Sequence, residues 1–400
     1  MLTKKHNPSR RNFLKAAGAA SAGSLFAAFN PLAKASEGPQ TIPVRPFGKT
    51  GAMVSILSMG GMFDIASNQL MMRQAVKWGV TYWDTADCYQ RGSETGIGKY
   101  FSKYPEDRKK IFLVSKSCAR KPEGMTRLLE RSLERMRTDY IDLYFAHGIY
   151  GIKELNELTK TWAENAKNAG KIRFFGFSAH GNMEECMLEA AKLGWIDGIM
   201  MSYNFRLMHT DRMKRAVEAC VKAGIGLTAM KTQGGGSVKT HTDSELKMAG
   251  RFLRRGFTDA QAKLMAVWQN PNIASVCSQM PNMTILKANV AAALNRTDLS
   301  AKDTELLRRY ARETHSDYCA GCVKICESAL EADVPIGDVM RYLMYYRSYG
   351  EHDYAARRFK SIPENIRRQM ANLDFSPAEQ RCPQKMAIGR IMGEAVKELS

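Results

Sequence analysis

The feature that most limits how this chain can fold is a regular alternation of short apolar, β-rich runs with amphipathic helical stretches. Such alternation produces parallel strands, and eight units at roughly thirty-residue spacing favour a closed barrel over an open sheet. We therefore predict an α/β fold, a (β/α)8 TIM barrel. The predicted strands lie near Ile56–Met59, Val80–Asp84, Ile111–Ser115, Ile141–Phe145, Phe174–Ser178, Gly198–Met201, Gly226–Ala229 and Ile273–Cys277.

The pattern changes after about Leu294, where strands stop and only helical periodicity continues. Helices are predicted at Ala301–Thr314, Ile336–Tyr349 and Ala387–Leu399. We accordingly divide the chain into a leader (1–35), a barrel (36–295) and a small helical segment (296–400).

The leader has the three regions of a signal peptide. Arg10-Arg11 lies in a basic start and is followed by Phe13-Leu14-Lys15, then by a modestly apolar Ala/Gly-rich stretch and the small-x-small site Ala33-Lys34-Ala35. This arrangement resembles the twin-arginine export motif and predicts a periplasmic or otherwise exported protein. A plain Sec signal and a disordered basic tail are the alternatives.

The net charge of +19 is partly a property of the leader. Six of the 59 Lys and Arg residues precede Ser36 and no acidic residue does, which leaves 53 basic against 40 acidic residues. The excess is spread over many helices without a basic stripe of interleaved aromatics, so we expect a solvated surface and no nucleic-acid partner. An acidic partner or anionic surface stays open. No apolar run reaches the ~18 residues of a membrane span.

Ionisable residues end three successive predicted strands: Asp84 the second, Lys116 the third and His147 the fourth, with Tyr89 five residues after Asp84. In a TIM barrel these strand ends share the face that carries function. A tyrosine has an ordinary pKa of about 10, and we expect Lys116 to lower the pKa of Tyr89. With Asp84 holding the lysine and His147 orienting a carbonyl, the set suits carbonyl reduction by hydride.

The barrel resembles the aldo-keto reductase family from about Val44 to Leu294. The resemblance is carried by the runs 45–51 (RPFGKTG), 79–89 (GVTYWDTADCY) and 170–178 (GKIRFFGFS). It implies that Asp84, Tyr89, Lys116 and His147 are the family's catalytic tetrad. It also implies an oxidoreductase acting on a small-molecule carbonyl or alcohol.

The same resemblance indicates where a nicotinamide cofactor would bind. The implied contacts are Ser178, Lys231, the glycine run Gly234, Gly235 and Gly236, and then Gln279 and Asn289. Exposed amides in a glycine-rich loop can bind phosphate oxygens. Several family contacts are replaced, however. This chain has Ala179 and Met200 where the family has amide side chains and Met230 where it has an aromatic residue. Gln279 and Ile285 occupy the positions of a family Lys and Arg. NAD(P) is therefore only weakly supported.

Four of the nine cysteines lie in the last quarter of the chain: Cys319, Cys322, Cys326 and Cys382. Three close cysteines and a distant Cys-Pro match the ligand set of one cluster in two-cluster ferredoxins, although the second spacing is x3. We predict one [4Fe–4S] cluster, as in the ferredoxin-like tail of one branch of aldo-keto reductases. A zinc site or disulfides are the alternatives.

Two further functional hypotheses remain beside the reductase. An electron-transfer or scaffold protein with a catalytically silent barrel is consistent with the replaced nicotinamide contacts, and a redox-active cluster would imply a redox partner protein. A barrel hydrolase is disfavoured, because the sequence offers neither paired carboxylates nor a His-rich metal set.

Overall fold

The parallel strands close into a barrel in the computed structural model, which describes residues 41–89, 91–236, 242–295 and 297–400. Around the barrel the order is β10, β3, β4, β5, β6, β7, β8, β9, and every neighbouring pair is parallel. The barrel strands are β3 (Leu57–Gly60), β4 (Tyr82–Asp84), β5 (Phe112–Ser117), β6 (Ile141–Ala146), β7 (Ile172–Ala179), β8 (Gly198–Ser202), β9 (Gly226–Met230) and β10 (Ser275–Gln279). The predicted (β/α)8 barrel is confirmed.

An antiparallel hairpin precedes the barrel and closes its bottom. Its strands are β1 (Val44–Pro46) and β2 (Met53–Ser55), and the fully buried Phe47 leaves β1 to lie beneath the strands. Gly198 and Gly226 begin β8 and β9, and a Cβ on them would lie 2.8 and 2.4 Å from the Phe47 ring. Glycine is therefore required at both strand starts. Because the bottom is filled, only the opposite end, at the carboxyl ends of the strands, can admit a ligand.

Amphipathic helices cover the outside of the barrel and bury their apolar faces against it. Several begin at a side chain that caps the first turn; Thr210, for example, accepts a hydrogen bond from the amide of Met213 at 3.2 Å. The helices are α1 (Gln69–Lys77), α2 (Ser93–Lys103), α3 (Pro122–Met136), α4 (Glu157–Asn168), α5 (Met183–Ala190), α6 (Asp211–Lys222), α7 (Asp243–Arg254), α8 (Asp259–Trp268) and α9 (Met283–Leu294).

The C-terminal segment is helical, as predicted. Its helices are α10 (Ala301–Glu313), α11 (Val323–Glu327), α12 (Ile336–Tyr349), α13 (His352–Lys360), α14 (Glu364–Met370), α15 (Ser376–Arg381) and α16 (Ile388–Leu399). Helix α10 packs on the barrel core through Leu307 and Tyr310, whereas the residues from Cys326 onward build a second hydrophobic core of their own.

The C-terminal segment lies over the open end of the barrel. Three residues at or just after the carboxyl ends of strands bind it: Tyr150 after β6 donates to Asp338, Lys231 after β9 to Tyr345, and Gln279 at the end of β10 to Glu351. Helix α12 and the two residues after it, Gly350 and Glu351, therefore form a roof over this end of the barrel. Among the described residues, no helix is both long and apolar enough to cross a membrane.

Candidate active site under the C-terminal roof

The strands bring the four predicted catalytic residues together. Asp84 is the last residue of β4, Lys116 the penultimate residue of β5, and His147 directly follows β6. The Lys116 ammonium lies 2.7 Å from a carboxylate oxygen of Asp84 and 3.3 Å from the Tyr89 hydroxyl. The rings of Tyr89 and His147 meet edge to face, with their centroids 5.9 Å apart.

Lys116 is the buried centre of this group, with 1% of its surface exposed. Its ammonium also donates to the carbonyl of Thr85 at 2.7 Å, so a carboxylate, a carbonyl and a phenol surround it. An isolated buried charge is strongly unfavourable, and the adjacent Asp84 carboxylate compensates this one. The position of the lysine is therefore determined by the strands and by its three partners.

The net shift of the Tyr89 pKa is opposite to the lowering that was expected from Lys116. Burial, followed by the negative charge of Asp84, raises the pKa of Tyr89 well above its ordinary value. The phenol is therefore protonated near neutral pH and is a proton donor. Burial also lowers the pKa of His147, which favours a neutral imidazole.

A cavity of about 590 Å³ opens above these residues. Asp84, Tyr89 and His147 line its floor, while Arg341 and Tyr345 of α12 are among the residues that line its roof. These roof residues were not among the site residues predicted from the sequence. Their i,i+4 spacing was a usable signal, because it places both side chains on one face of α12.

A second lysine–tyrosine pair joins the roof to the floor. The Lys231 ammonium donates to the Tyr345 hydroxyl at 2.7 Å and lies 4.0 Å from the centre of that ring. Lys231 has a φ of +57°, a conformation that non-glycine residues adopt mainly where the surroundings impose it. Burial alone would raise the pKa of Tyr345, but the charges of Lys231 and Arg341 outweigh it and the pKa lies below the ordinary value.

Most of the predicted cofactor contacts are engaged within the protein. Gln279 donates to the carbonyl of Met62 at 2.7 Å and to Glu351 at 3.0 Å. Ser178 accepts from the amide of Gly148 at 2.9 Å, and Asn289 donates to Ser278 at 3.0 Å.

The glycine run faces the C-terminal segment. A Cβ on Gly235 would lie 3.3 Å from the ring of Tyr318, and one on Gly236 would lie 3.1 Å from Ser348. The carbonyl of Gly234 accepts from Arg206 at 2.8 Å. The loop that was predicted to cradle a pyrophosphate therefore faces the C-terminal segment, and its three glycines line a cavity of about 460 Å³ between the two.

The four C-terminal cysteines converge. Burial first, and then the nearby thiols of Cys322 and Cys382, raise the pKa of Cys319 to about 12. Burial likewise raises the pKa of Cys326 to about 12, and the other three thiols contribute. No three of these described cysteines have all their sulfurs within 4.8 Å of one another. Tetrahedral zinc needs sulfurs about 3.8 Å apart, so this arrangement lacks a ready-made single-ion site.

Two family models match the chain. One, described as the aldo/keto reductase family, covers residues 56–317, and the other, for the twin-arginine translocation signal sequence, covers residues 7–27. The second match confirms the predicted export by the twin-arginine route. The leader itself lies outside the described residues.

Two curated relatives are similar to this chain over part of their own length. Aldo-keto reductase yakc [NADP(+)] of Schizosaccharomyces pombe is 28% identical over 217 residues, which are 50% of this chain and 60% of that protein. The uncharacterized oxidoreductase YrpG of Bacillus subtilis is 26% identical over 215 residues, 47% of this chain and 66% of that protein. The chain thus matches less than two thirds of either relative.

A solved structure shares the fold. The holo form of aldo-keto reductase AKR11C1 from Bacillus halodurans superposes with a TM-score of 0.56 at 23% identity, covering 67% of this chain and 96% of that one. The likeness therefore extends over nearly the whole of that barrel, and the rest of this chain lies outside it.

Proposed function

This chain belongs to the aldo/keto reductase family, and from that premise we propose that it is an exported oxidoreductase that reduces a small-molecule carbonyl or oxidises the corresponding alcohol. One observation carries the proposal: Lys116 contacts both Asp84 and Tyr89 beside a cavity that Tyr89 and His147 line. An acid, the cation that positions it and a neutral imidazole thus meet where a substrate oxygen can enter.

Tyr89 is the general acid in this proposal. As the carbonyl carbon is reduced, the phenol gives its proton to the carbonyl oxygen, and in the alcohol-oxidising direction the same oxygen returns it. Lys116 holds the phenol and stabilises the negative charge that develops there, while Asp84 holds Lys116. His147 lies beside Tyr89 and orients the substrate oxygen by a hydrogen bond.

Family membership suggests NAD(P), which would supply hydride, but most of the side chains implied to hold it are bonded to other groups of the protein. Lys231 is bonded to Tyr345, and Gly235 and Gly236 lie against the C-terminal segment. Both glycines and Lys231 also line a cavity of about 460 Å³ beneath α12, where a dinucleotide would have to enter.

The C-terminal cysteines fit an iron–sulfur cluster better than a single ion. A four-iron cluster binds each thiolate at a separate iron, which suits four neighbouring thiols, two buried and two half-buried, that are too far apart for one zinc. Cys319, Cys322, Cys326 and Cys382 would hold the cluster, and its chemistry would be one-electron transfer. Cys319 lines a cavity of about 460 Å³ that shares Lys231 and Arg341 with the catalytic cavity.

An electron-transfer or scaffold protein is the second candidate, because Ser178, Gln279 and Asn289 are bonded within the protein instead of being free for a cofactor. Turnover of an aldehyde panel with a chemical reductant distinguishes the two functions. Tyr89→Phe should lower turnover about 10²–10⁴-fold, the usual contribution of general acid catalysis. Tyr144→Phe is the matched control, since this buried β6 tyrosine packs against Trp162, 5.9 Å between ring centres. The reductase is contradicted if the wild-type protein shows no turnover, or if Tyr89→Phe and Tyr144→Phe turn over aldehydes equally.

The cluster is tested separately by iron and sulfide content after anaerobic purification. About four of each per chain, lost on Cys382→Ala and kept on Cys220→Ala, is the expected result. Zinc in place of iron would make the segment a structural zinc module.

A further inference from the structure

Two cysteines and a histidine meet at the mouth of the barrel. The Sγ atoms of Cys88 and Cys118 are 3.7 Å apart, and His147 Nδ1 lies 3.4 Å from the first and 3.6 Å from the second. Among the described residues, these form the one group of three or more His, Cys, Asp or Glu side chains whose ligand atoms all lie within 4.8 Å.

The dimensions of this triangle are those of one face of a zinc tetrahedron. Zinc binds cysteine sulfur at about 2.3 Å and histidine nitrogen at about 2.0–2.1 Å. A tetrahedron with these bonds has edges of about 3.8 Å between sulfurs and about 3.5 Å between sulfur and nitrogen. The observed distances agree with these edges to within about 0.2 Å. An ion would therefore need little rearrangement of its three ligands.

The three ligands are held by neighbouring strands of the barrel. Cys88 lies in the loop after β4, Cys118 directly follows β5, and His147 directly follows β6. The backbone at His147 is held as well, because Arg120 donates to its carbonyl at 2.8 Å and is paired with Glu154 at 2.7 Å. Ligands on rigid elements give a metal site its geometry before the metal arrives.

The fourth coordination position would face the catalytic cavity. All three ligands line that cavity, together with Tyr89. Three protein ligands and one open position are the arrangement of catalytic zinc sites, and the pair of thiolates with one imidazole is a known zinc ligand set. Two soft thiolates and an imidazole select zinc over magnesium or calcium.

We propose that Cys88, Cys118 and His147 bind one zinc ion whose open position faces the cavity. Metal binding at Nδ1 would confine the ring proton of His147 to Nε2, so that this nitrogen donates to the substrate oxygen. Only this last consequence rests on the proposed reductase function. The zinc site itself stands on the geometry of the three ligands.

The test measures zinc in the full exported chain after anaerobic purification and zinc addition. We expect one zinc per chain, and removing a ligand by Cys88→Ser or Cys118→Ser should weaken zinc binding more than 100-fold, beyond the about 10–100-fold effect of outer-shell changes. Cys277→Ala is the matched control, because this cysteine lines the same cavity outside the triangle. It should keep the zinc, as should Tyr89→Phe.

A replacement that can still coordinate guards against misfolded variants. Cys118 is exposed, so Cys118→His should be tolerated and should keep the ion. With cobalt substituted for zinc, this variant should show about half of the sulfur-to-metal charge-transfer absorption, because one thiolate of two remains. Zinc retained in both serine variants would place the ion elsewhere and overturn the proposal. A Cys88–Cys118 disulfide in place of zinc, detected by intact mass, would also overturn it. If the protein binds zinc but does not turn over aldehydes, that result contradicts the proposed reductase function and leaves the zinc site standing.

Discussion

Two lysine–tyrosine pairs lie on opposite sides of one cavity, one within the barrel and one between the barrel and its roof. Lys116 and Tyr89 are 3.3 Å apart on the floor, and Lys231 and Tyr345 are 2.7 Å apart at the roof. The chemical groups are the same, but their third neighbours differ. Asp84 accompanies the floor pair, whereas Arg341 accompanies the roof pair.

This difference gives the two phenols opposite proton affinities. Burial and the Asp84 carboxylate raise the pKa of Tyr89, while Lys231 and Arg341 lower that of Tyr345 in spite of its burial. A lysine beside a tyrosine thus does not by itself activate the phenol. The net charge of the whole neighbourhood decides, and here it leaves a proton donor on the floor and an ionisable phenol in the roof.

The largest effect should come from breaking the floor pair. Lys116→Met leaves the Asp84 carboxylate buried without its cation, and such a change destabilises a protein by about 3–5 kcal/mol. Lys231→Met removes a lysine whose partner is a phenol, so its effect should be smaller. Urea unfolding of both variants measures the difference.

The double variant Asp84→Asn/Lys116→Met serves as the control for the floor pair. It removes both charges, so it should recover much of the lost stability. Equal destabilisation by Lys116→Met and Lys231→Met would contradict the contrast between the two pairs.

The intermediate effect concerns the ionisation of the roof phenol. The pKa of Tyr345 in the folded chain lies below its ordinary value of 10.0. Its ionisation therefore adds stability that is complete above pH 10 and is lost as the pH falls through the folded-state pKa. Each unit of lowering corresponds to about 1.4 kcal/mol.

Tyr345→Phe should remove that alkaline stabilisation and the earliest phenolate absorbance of the wild type, the part that precedes the titration of tyrosines with an ordinary pKa of about 10. Tyr89→Phe should leave the same absorbance unchanged, since Tyr89 stays protonated. Ultraviolet difference titration measures both. An unchanged titration of Tyr345→Phe would mean that the roof phenol does not ionise early.

The smallest effect is expected for an ion pair on the outside of the roof. Arg347 of α12 pairs with Glu394, 2.8 Å away, and with Glu398 on α16, and all three side chains are partly exposed. Arg347→Ala should change the free energy of unfolding by less than about 1 kcal/mol, because exposed pairs contribute little. If Arg347→Ala lowered the free energy of unfolding as much as Lys116→Met, burial would not be what makes the buried ion pair more important than the exposed one.

The alternating pattern was sufficient to predict the barrel and the ends of its strands. Hydrophobic periodicity is local, and parallel β/α units can bury their apolar faces in few ways. For that reason Asp84, Lys116 and His147 were predicted at one face, and the structure brings them together. The spacing of Cys319, Cys322 and Cys326 was likewise readable, since three close cysteines are a local signal.

What lies over the open end of the barrel follows from long-range packing, which no local pattern predicts. Tyr345 lies 256 residues after Tyr89 in the sequence and reaches the same cavity because α12 docks on the strand ends. No local pattern encodes such a contact, which depends on the second hydrophobic core and on loops from three strands. The close approach of Tyr318 and Ser348 to Gly235 and Gly236, and the cavity that these glycines line, follow from the same docking.

Local sequence pattern is enough to place these groups at the mouth of the barrel, because strand period and strand order are properties of nearby residues. Tertiary structure decided their protonation and their partners. The pKa of Tyr89 depends on burial and on the distance to Asp84, and the Cys88–Cys118–His147 triangle depends on ångström-scale distances between side chains from three strands. Electrostatic and coordination energies vary steeply with such distances, and sequence spacing does not specify them.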